Sequence, residues 1–539
     1  MSPRLRFRCR RLTTLLVVLG LSSGVLVCPA GPPPASIDQL RAARREAAHR
    51  PRRLIFNNDG NEPVYALAEP TPLTATALLE CRTTALADTQ VACISYCTWS
   101  SGFGLFTHGT TVGQVFSTKE GLFAPNRAPE LLAAGVDPLQ VMADFAHRHG
   151  REIFWSLRMN DTHDGAKTDY GPIMLRANAL KTAHPDWMIG SADDKPAYGA
   201  WTAVDYTRPE IRDLAFRYVE EVCRGYDVDG VELDFFRHPV FFRRAARSGT
   251  ACDDEERAVM TDLLRRIRLM TEEVGMQRGR PILLAVRVPD SVDYARGCGL
   301  DVAAWLADGL VDLLVASGYF QLAPWSDTAA LGHAHGVQVY ASLDESRVRD
   351  EKARALRSSL ESYRGRAAAA WAAGVDGVSL FNAFNPRHPL WRELGSADGL
   401  AGLDKDYFAS IRGVGAAAGG ALPHAAFVRV PTLNPASPIR IPPAGRGTTW
   451  FAAGRESAAP ARVTVLIQGP PADMPGPPAV SLNGHALEAG IPEAEGWIRY
   501  AARQEWLQAG RNDVEVSLPA DAAAPLVWTD LRCTVRYLR

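Results

Sequence analysis

The sequence predicts a (β/α)8 barrel, that is a TIM barrel of the α/β class, followed by a small C-terminal antiparallel β-sandwich. First, short β-branched runs alternate with longer amphipathic stretches from Arg53 onward, which indicates parallel strands joined by crossover helices. Second, there are eight such runs, and eight strands favour closure into a barrel. Third, helical periodicity ends after about residue 412, where Pro, Gly and short alternating strands take over.

Each run has the composition of a buried strand, and helical spacing separates most of them. The segment before the fourth run places Ile211, Leu214, Tyr218 and Val222 close to a 3.6-residue period, so it predicts an amphipathic helix. The fourth and eighth runs both begin with VDGV, four units apart, as a half-barrel duplication would produce. The eight predicted strands are RLIFNNDG, VACISYC, REIFWSLRMND, VDGVELDFF, ILLAVRVPD, VDLLVASGYF, VQVYASLDE and VDGVSLFNAFN.

The first thirty residues have the three parts of a secretory signal peptide: the basic start MSPRLRFRCRR, the apolar LTTLLVVLGLSSGVLV, and CPA with the small residue Ala30. We therefore expect cleavage after residue 30 and an exported protein, either secreted or periplasmic. An uncleaved anchor and a lipid attached to Cys28 are the alternatives. No later run reaches the roughly 18 apolar residues that a membrane-spanning helix needs, so we expect no integral membrane segment after cleavage.

Composition sets the remaining domain plan. We expect residues 31–50 to be a linker, 51–411 the barrel, 412–424 a second linker, and 425–539 the β-sandwich, an accessory domain. The net charge of −1 gives no reason to expect nucleic acid or an anionic membrane as partner. Cys252 and Cys298 both fall in predicted loops and are the best candidates for a disulfide.

Polar residues collect where the predicted strands end. In a (β/α)8 barrel the active site forms at the C-terminal strand ends, so these side chains should surround one pocket. His238, next to the strand-four acids, is expected either to bind a substrate hydroxyl or to tune the pKa of a neighbouring acid. The predicted substrate-binding residues are Asn57, Arg158, Asn160, Arg237, His238, Arg287, Tyr319, Gln321 and Asn382.

Two acids interrupt the apolar run of strand four, DVDGVELDFFRHP. Because strand side chains alternate, Glu232 and Asp234 share one face, while Val231, Leu233 and Phe235 share the other. The apolar face should pack against helices, so the acids should point into an open barrel mouth. Burial there costs several kcal/mol unless partners satisfy the charge. The alternative is an internal ion pair that merely fills the barrel.

Paired acids in a polar pocket are typical of glycosidic bond hydrolysis. One carboxylic acid protonates the leaving oxygen, and a second carboxylate attacks the anomeric carbon or activates water. Asp234 is the leading catalytic candidate and Glu232 its partner. Asp344 or Glu345, at the end of strand seven, is the candidate for the opposing acid or base. A solvated helix start explains that second pair equally well, since Asp favours helix N-caps.

The run DVDGVELDFFRHP, the export signal, the eight-strand order and the trailing β-sandwich together resemble the bacterial glycosyl-hydrolase-like family ten barrels. The resemblance covers about residues 50–410. It implies a retaining or inverting glycosidase that acts on a polysaccharide or on peptidoglycan glycan strands, with the strand-four acids at its centre.

Chitinase-type barrels provide a second comparison, since they carry DGxDxDxE on strand four. Asp229, Glu232 and Asp234 fall near the acids of that pattern, but Phe236 stands where its terminal Glu would be. The chitinase mechanism is therefore in doubt, and a further acid would have to come from another strand.

Two other classes of function stay open at this point. A non-catalytic carbohydrate-binding barrel would keep the pocket without the second acid, and Phe236 favours it. A carbohydrate lyase would need a Tyr, His or Lys base, for which Tyr319 is the candidate. The sequence contains no HExxH and no compact ligand set, so we expect no metal and no cofactor. The expected partner is a polysaccharide or oligosaccharide.

Overall fold

The structure is a computed structural model that describes residues 34–412, 421–469 and 476–538. The predicted signal peptide and most of the second predicted linker lie outside these residues. Within them, no helix combines the length and the apolar character that crossing a membrane requires.

The predicted barrel is confirmed. Neighbours along the chain are neighbours in space, and the last strand pairs in parallel with the first to close the barrel. Val231 and Leu233 face the helical layer and are fully buried there, as the strand pattern predicts. The strands are β1 Leu54–Asn58, β2 Val91–Tyr96, β3 Glu152–Arg158, β4 Gly230–Asp234, β5 Leu283–Val288, β6 Leu313–Ala316, β7 Gln338–Leu343 and β8 Gly377–Leu380.

Helices separate the strands and cover the barrel. The longest, Asp254–Arg278, begins with a capping box in which Asp253 and Glu256 each bond the other's backbone N–H. A short ribbon, Leu105–Phe106 with Gln114–Val115, lies in the β2–β3 loop. The other α-helices are Ile37–Ala48, Glu62–Tyr65, Ala75–Arg82, Ala128–Ala133, Pro138–Arg148, Tyr170–Ala177, Ala179–Ala183, Pro209–Gly225, Arg243–Ser248, Val292–Gly297, Val302–Ala307, Trp325–Ala334, Glu351–Arg357, Leu360–Ala372 and Leu390–Glu393.

The first helix, Ile37–Ala48, corrects the prediction of a linker over residues 31–50. Ala47 and Ala48 pack against the innermost apolar side chains at the N-terminal end of the barrel. Arg52 then donates to the carbonyls of both alanines and to Glu152, which fixes the end of the helix. The segment is ordered because its apolar end closes the bottom of the barrel.

The two VDGV runs occupy equivalent places at the bottom of β4 and β8. Asp229 accepts from His147, in the helix before β3, and from the Ile153 N–H at the start of β3. Asp376 accepts in the same way from His333 and from the Val339 N–H in β7. The following glycines lie against inward-facing rings, where a Cβ would come within 2.8 Å of a ring carbon. The repeat is therefore structural and lies at the end opposite the predicted site.

The C-terminal part folds into antiparallel sheets with one shared apolar core, which includes Phe451, Val465 and Trp528. The first sheet takes Lys405–Phe408 from within the range assigned to the barrel, and buried Arg357 pairs with Asp530 at 2.6 Å across the junction. The strands are β9 Lys405–Phe408, β10 Ile439–Ile441, β11 Arg446–Ala453, β12 Ala461–Gln468, β13 Ala479–Leu482, β14 His485–Ala486, β15 Ile491–Pro492, β16 Trp497–Ala502, β17 Gly510–Ser517, β18 Leu526–Trp528 and β19 Asp530–Tyr537.

The predicted disulfide is wrong. Cys252 and Cys298 are both free thiols, and both are buried in the barrel core. A buried thiol packs as a small apolar group, and burial raises the pKa of Cys298 to about 12.

Candidate active site

The barrel interior is layered. Its lower layer is apolar and includes Ile55, Phe154 and Tyr340. Above it the inward positions become small and polar, as at Ser95 and Ser156, which are each 1% exposed. Glu232 lies among these small side chains, so its carboxyl group meets hydroxyl groups.

Side chains from three other strands, β1, β2 and β3, donate hydrogen bonds to Glu232. Its Oε1 accepts from Ser156 Oγ at 2.7 Å, Ser95 Oγ at 2.9 Å and Asn57 Nδ2 at 3.3 Å. Oε2 receives no hydrogen bond from the residues that the structure describes. Burial, with the neighbouring charge of Asp234, raises the pKa of Glu232. The predicted inward orientation is correct, and Asn57 is a partner of the acid.

Asp234 occupies the next inward position, one layer closer to the mouth. Its Oδ1 accepts the backbone N–H groups of Phe236 at 2.9 Å and Arg237 at 3.0 Å, and its Oδ2 accepts Arg287 Nη1 at 3.1 Å. Strand pairing sets Arg158 and Arg287 in register with Asp234, one on each side. Asp234 therefore lies between two guanidinium-bearing positions at the C-terminal end of β4.

A network of charged side chains, the rim network, adjoins Asp234 on the β1 and β3 side. It consists of Asp59, Arg158, Asp161, His163 and His238. Arg158 donates to Asp59 at 2.5 Å and lies 3.4 Å from Asp161, which lies 2.7 Å from His163 Nδ1. Asp59 and Asp161 follow directly after strands and belong to the strand-end polar residues that the sequence places around one pocket, whereas nothing in the sequence points to His163. Only folding shows that Arg158 joins them.

The acids of the mouth divide into two groups by pKa. Burial would raise the pKa of Asp59, but Arg158 and Arg237 hold it below its usual range. Burial likewise opposes ionisation of Asp161, whose pKa is nonetheless held well below its usual range by His163 and Arg158. Environments that push carboxyl pKa values apart, as at Asp59 and Glu232, provide a base and an acid in one site.

The three rim residues Asp161, His163 and His238 could hold a metal, since one ligand atom from each lies within 4.8 Å of the others. The ring nitrogens of His163 are already engaged, by Asp161 at 2.7 Å and by Arg237 Nη2 at 3.0 Å. His238 Nδ1 accepts the N–H of Thr162. With these lone pairs in use and a guanidinium group adjacent, the trio fits an ion-pair network better than a cation site.

The strand-seven acids form a separate group. Asp344 is fully buried, and its oxygens accept from the Glu345 N–H at 2.7 Å and from Arg347 at 3.1 Å. Burial raises the pKa of Asp344. The side chain of Glu345 is 53% exposed and lies 3.4 Å from Arg347. Among the described residues, Arg347 links this group to the mouth, since its guanidinium carbon lies 4.5 Å from the ring centre of Tyr319.

Three rings, Phe236, Tyr319 and Phe381, cover the mouth and are named the aromatic cover. The Tyr319 ring centre lies 5.8 Å from that of Phe236 and 5.3 Å from that of Phe381. The Arg287 guanidinium carbon lies 3.9 Å from the Phe381 ring centre. The strand-four acids are each 2% exposed beneath this cover, so the expectation of an open cup is wrong.

Several polar atoms under the aromatic cover have no protein partner among the described residues. They are Arg287 Nε and Nη2, the Tyr319 hydroxyl and Ser342 Oγ. Buried polar groups are nearly always satisfied, so a cluster of unsatisfied ones indicates bound water or a polar ligand. These atoms come from the ends of β5, β6 and β7, which makes the mouth the place where such a ligand would bind.

Three further predicted substrate-binding residues, Asn160, Gln321 and Asn382, lie in different surroundings. Asn160 ties two loops together, donating to the carbonyls of Val204 at 2.8 Å and Val240 at 2.6 Å, so its role is structural and the predicted sugar contact is wrong. Gln321 lines a cavity beside the C-terminal sheets. Asn382 is half-buried and has a φ of +58°, which few residues other than glycine adopt.

Strained backbone also marks this end of the barrel. Thr98, Ser317 and Asn382, which follow β2, β6 and β8, have φ of +43°, +68° and +58°. Left-handed conformations at residues other than glycine cost about 1–3 kcal/mol each and cluster at functional sites. Their position at three strand ends supports the mouth as the functional site.

Fold and site together define a class: a (β/α)8 barrel with an acid pair at the C-terminal end of β4, an arrangement that suits glycoside hydrolysis. Residues 80–248 match the sequence model of the family described as Glycosyl hydrolase-like 10. The resemblance drawn from the sequence is thereby confirmed. The matched segment contains Glu232 and Asp234, whereas Asp344 and Glu345 lie beyond it.

One curated relative is Glycosyl hydrolase YngK from Bacillus subtilis (strain 168), which is 32% identical over 108 residues. The match covers 20% of this chain, and the chain spans only 19% of the relative. Among solved structures, the PgaB (BpsB) glycoside hydrolase domain from Bordetella bronchiseptica is 12% identical, with a TM-score of 0.39 over 64% of this chain and 99% of that domain.

The maltogenic alpha-amylase AmyB from Thermotoga neapolitana is likewise 12% identical, with a TM-score of 0.37 over 90% of this chain and 99% of the amylase. At these scores the likeness carries no argument. The barrel assignment rests on the strand pairing of this chain, in which β8 closes onto β1.

Proposed function

We propose that the protein is an exported glycoside hydrolase that cleaves a polysaccharide or glycan strand by carboxylate acid/base chemistry. One observation carries the proposal: Asp234 lies at the C-terminal end of β4, bonded to Arg287, with protonatable Glu232 in the layer below. Two carboxyl groups with different environments are what glycosidic hydrolysis requires. The match to a glycosyl-hydrolase-like family over this segment supports it.

Glu232 is proposed as the group that holds the proton. Its raised pKa keeps the carboxyl group protonated closer to neutral pH, and all three of its hydrogen bonds end on Oε1. A proton on Oε2 is then free to be donated, because Oε2 accepts no protein hydrogen bond in the described ranges. Asp234, one layer nearer the mouth, is the proposed nucleophile or base.

The unpartnered atoms of the mouth are proposed to bind sugar hydroxyls. Tyr319 and Ser342 each offer a hydroxyl group, and Arg287 offers two unbonded N–H positions. A sugar can reach Asp234 only if the aromatic cover moves, since the acid is 2% exposed. Substrate entry is therefore proposed to displace the Tyr319 or Phe381 ring.

Export is proposed from the basic, apolar and small-residue parts of residues 1–30. Expression of the full chain in a bacterial host, followed by fractionation, tests it. Recovery of a shortened protein in the periplasm or medium supports export. Retention of the full-length chain in the cytoplasm contradicts it.

The activity is tested by incubating the protein with a panel of polysaccharides and peptidoglycan and analysing the products. We expect new reducing ends from at least one glycan, and their loss in Asp234→Asn. Glu345→Gln is the matched control, because that side chain is exposed and lies 3.4 Å from Arg347, its ion-pair partner among the described residues. Equal turnover by Asp234→Asn and wild type would exclude Asp234 from the mechanism.

The aromatic cover favours a second candidate, a non-catalytic carbohydrate-binding barrel. Acids sealed to 2% exposure fit a structural role for the pair, with sugar bound by the unpartnered polar atoms of the mouth. In that case a glycan of the panel binds by calorimetry but yields no products, and Asp234→Asn binds as tightly as the wild type. Product formation excludes this candidate.

A further inference from the structure

A second cavity lies away from the acid pair, between the barrel and the C-terminal sheets. It has a volume of about 490 Å³, and Gln321 and Leu343 line its barrel side. Phe408 and Trp450 line it from the sheets, and Trp325 from the start of a barrel helix. A cavity of this size, with aromatic walls, is large enough to hold a small organic ligand.

Positive charge in this cavity is not balanced. Two of the arginines that line it are paired with acids: Arg429 bonds Asp327, and Arg511 bonds Asp513. Arg366 and Arg412 are different: neither takes part in an ion pair within the ranges that the structure describes, and the Nε of each is buried without a partner. The segment 413–420, GVGAAAGG, contains no acid that could pair with them.

Arg412 is buried at 7% exposure and Arg366 is half-buried, so both charges are held in the cavity wall. Among the residues that the structure describes, the Arg412 guanidinium group bonds only the Gln321 carbonyl at 3.2 Å and the His424 ring at 3.5 Å. Arg366 donates to the Asp344 carbonyl at 2.6 Å. Carbonyls accept hydrogen bonds but leave the charge uncompensated, and a buried unpaired cation is costly. Burial lowers the pKa of both guanidinium groups, and the charges of Asp344 near Arg366 and of Asp290 near Arg412 offset this only in part.

The acids that line the cavity do not balance the charge of Arg366 and Arg412. Asp406 is engaged by Arg532 at 2.6 Å and Arg536 at 2.6 Å, both from β19. Asp327 is engaged by Arg429. The cavity therefore has two guanidinium groups to offer to an anion from outside, and guanidinium binds carboxylate with two parallel hydrogen bonds.

We infer that this junction cavity binds the acidic sugar unit of a glycan. The carboxylate would pair with Arg366 and Arg412, and the sugar ring would pack on the aromatic wall formed by Trp325, Phe408 and Trp450. That the ligand is a sugar rests on the proposed function. The inference adds that the substrate contains uronic acid units. The site is separate from Asp234, so binding and hydrolysis can be measured independently.

Calorimetry on the Asp234→Asn protein tests the inference without turnover. The probes are a galacturonic acid trimer, cellotriose as its neutral counterpart, and inorganic phosphate. We expect the acidic trimer to bind, with cellotriose and phosphate at least about tenfold weaker, since charged hydrogen bonds and ring contacts are both needed. Arg366→Gln and Arg412→Gln should each weaken the trimer by about tenfold or more.

Arg446→Gln is the matched control, because Arg446 is an exposed arginine of β11 that pairs with Glu515 and does not line the cavity. Thermal melting of each variant identifies any that fail to fold, and Trp450→Ala then tests the ring contact independently. Unchanged trimer binding in both arginine variants, or phosphate binding as tightly as the trimer, would overturn the inference.

Failure of the site and failure of the proposed function give different results. If the trimer binds through Arg366 but the wild type releases no products from any glycan, the site stands and the hydrolase proposal fails. If the wild type hydrolyses neutral glycans and the trimer does not bind, the hydrolase proposal stands and the site fails.

Discussion

The ends of β4 and β7 each carry two acids, and the chain surrounds the two pairs differently. Glu232 receives hydrogen bonds from residues 175, 137 and 76 positions away, on three other strands. Asp344 receives its bonds from the next residue and from Arg347, three positions on. Glu232 is therefore bonded by tertiary contacts and Asp344 by local ones, while Asp234 combines local bonds to Phe236 and Arg237 with a tertiary bond to Arg287.

This difference helps to distinguish a functional site, assembled from several strands, from an ordinary loop. Short-range carboxylate bonds of the kind made by Asp344 stabilise turns and helix starts, so they need no functional explanation. The bonds to Glu232 require several strands to place small polar residues at one height inside a barrel. This difference supports placing the proposed chemistry on the β4 pair, and it favours a loop-stabilising role for Asp344.

The largest expected effect belongs to Asp234→Asn. The substitution keeps the shape of the side chain and removes the charge that Arg287 contacts at 3.1 Å. We expect kcat/KM on the glycan identified by the panel to fall by about 10²–10⁴-fold, the usual contribution of a catalytic carboxylate. Circular dichroism that matches the wild type would show that the loss is chemical.

Glu232→Gln should have the next largest effect. Oε1 can still accept from Ser95 and Ser156, but no proton can be donated, so kcat should fall by about 10²-fold. The wild-type rate should decline on the alkaline side as Glu232 loses its proton, and the variant should lack that decline. A pH–rate profile of both proteins checks this, and an unchanged alkaline limb in the variant would contradict the assignment.

Glu232→Gln should also change how the stability of the protein depends on pH. The pKa of Glu232 is raised in the folded protein, so its contribution is fully present below the unfolded pKa and is lost as the pH rises through the folded value. Denaturant unfolding of both proteins across that range should show the wild type losing stability relative to Glu232→Gln. A constant difference across pH would show that the environment does not favour the protonated acid.

Asp344→Asn should affect stability more than activity. The amide keeps an oxygen that can accept from the Glu345 N–H, and burial raises the pKa of Asp344, so the charge is already disfavoured in the folded protein. Losing the contact with the partly exposed Arg347 should therefore change the free energy of unfolding by no more than about 1 kcal/mol. Turnover should stay close to the wild-type value, because Asp344 contacts Arg347, which in turn contacts Tyr319. Urea unfolding and an activity assay on the same preparation separate the two effects.

Glu345→Gln should have the smallest effect. The side chain is half exposed, and exposed ion pairs contribute about 0–1 kcal/mol, so both stability and turnover should be unchanged within error. A loss of activity in this variant, together with full activity in Glu232→Gln, would move the proton donor to β7.

The sequence predicted the barrel well because its signals are periodic. The alternation in β4 placed Glu232 and Asp234 inward and Val231 outward, as the structure has them. The half-barrel repeat was also visible, since Asp229 and Asp376 make matching bonds. Residues 37–48 were missed because their helix is stabilised by packing under the barrel, which no local pattern reports.

The site was predicted only in part, because side-chain partners depend on tertiary register. Strand-end position suggested Asn160, which the fold instead uses to join two loops. The link from Arg158 to Asp59 spans 99 residues, and the aromatic cover combines rings from three strand ends. Neither feature can be derived from spacing along the chain.

The most direct test is the ratio of kcat/KM for Asp234→Asn to that for Asp344→Asn, measured on the same glycan at one pH. If the β4 pair carries the chemistry, the ratio lies below about 10⁻². A ratio of one or more would contradict the assignment, and a ratio far above one would place the essential acid at the end of β7.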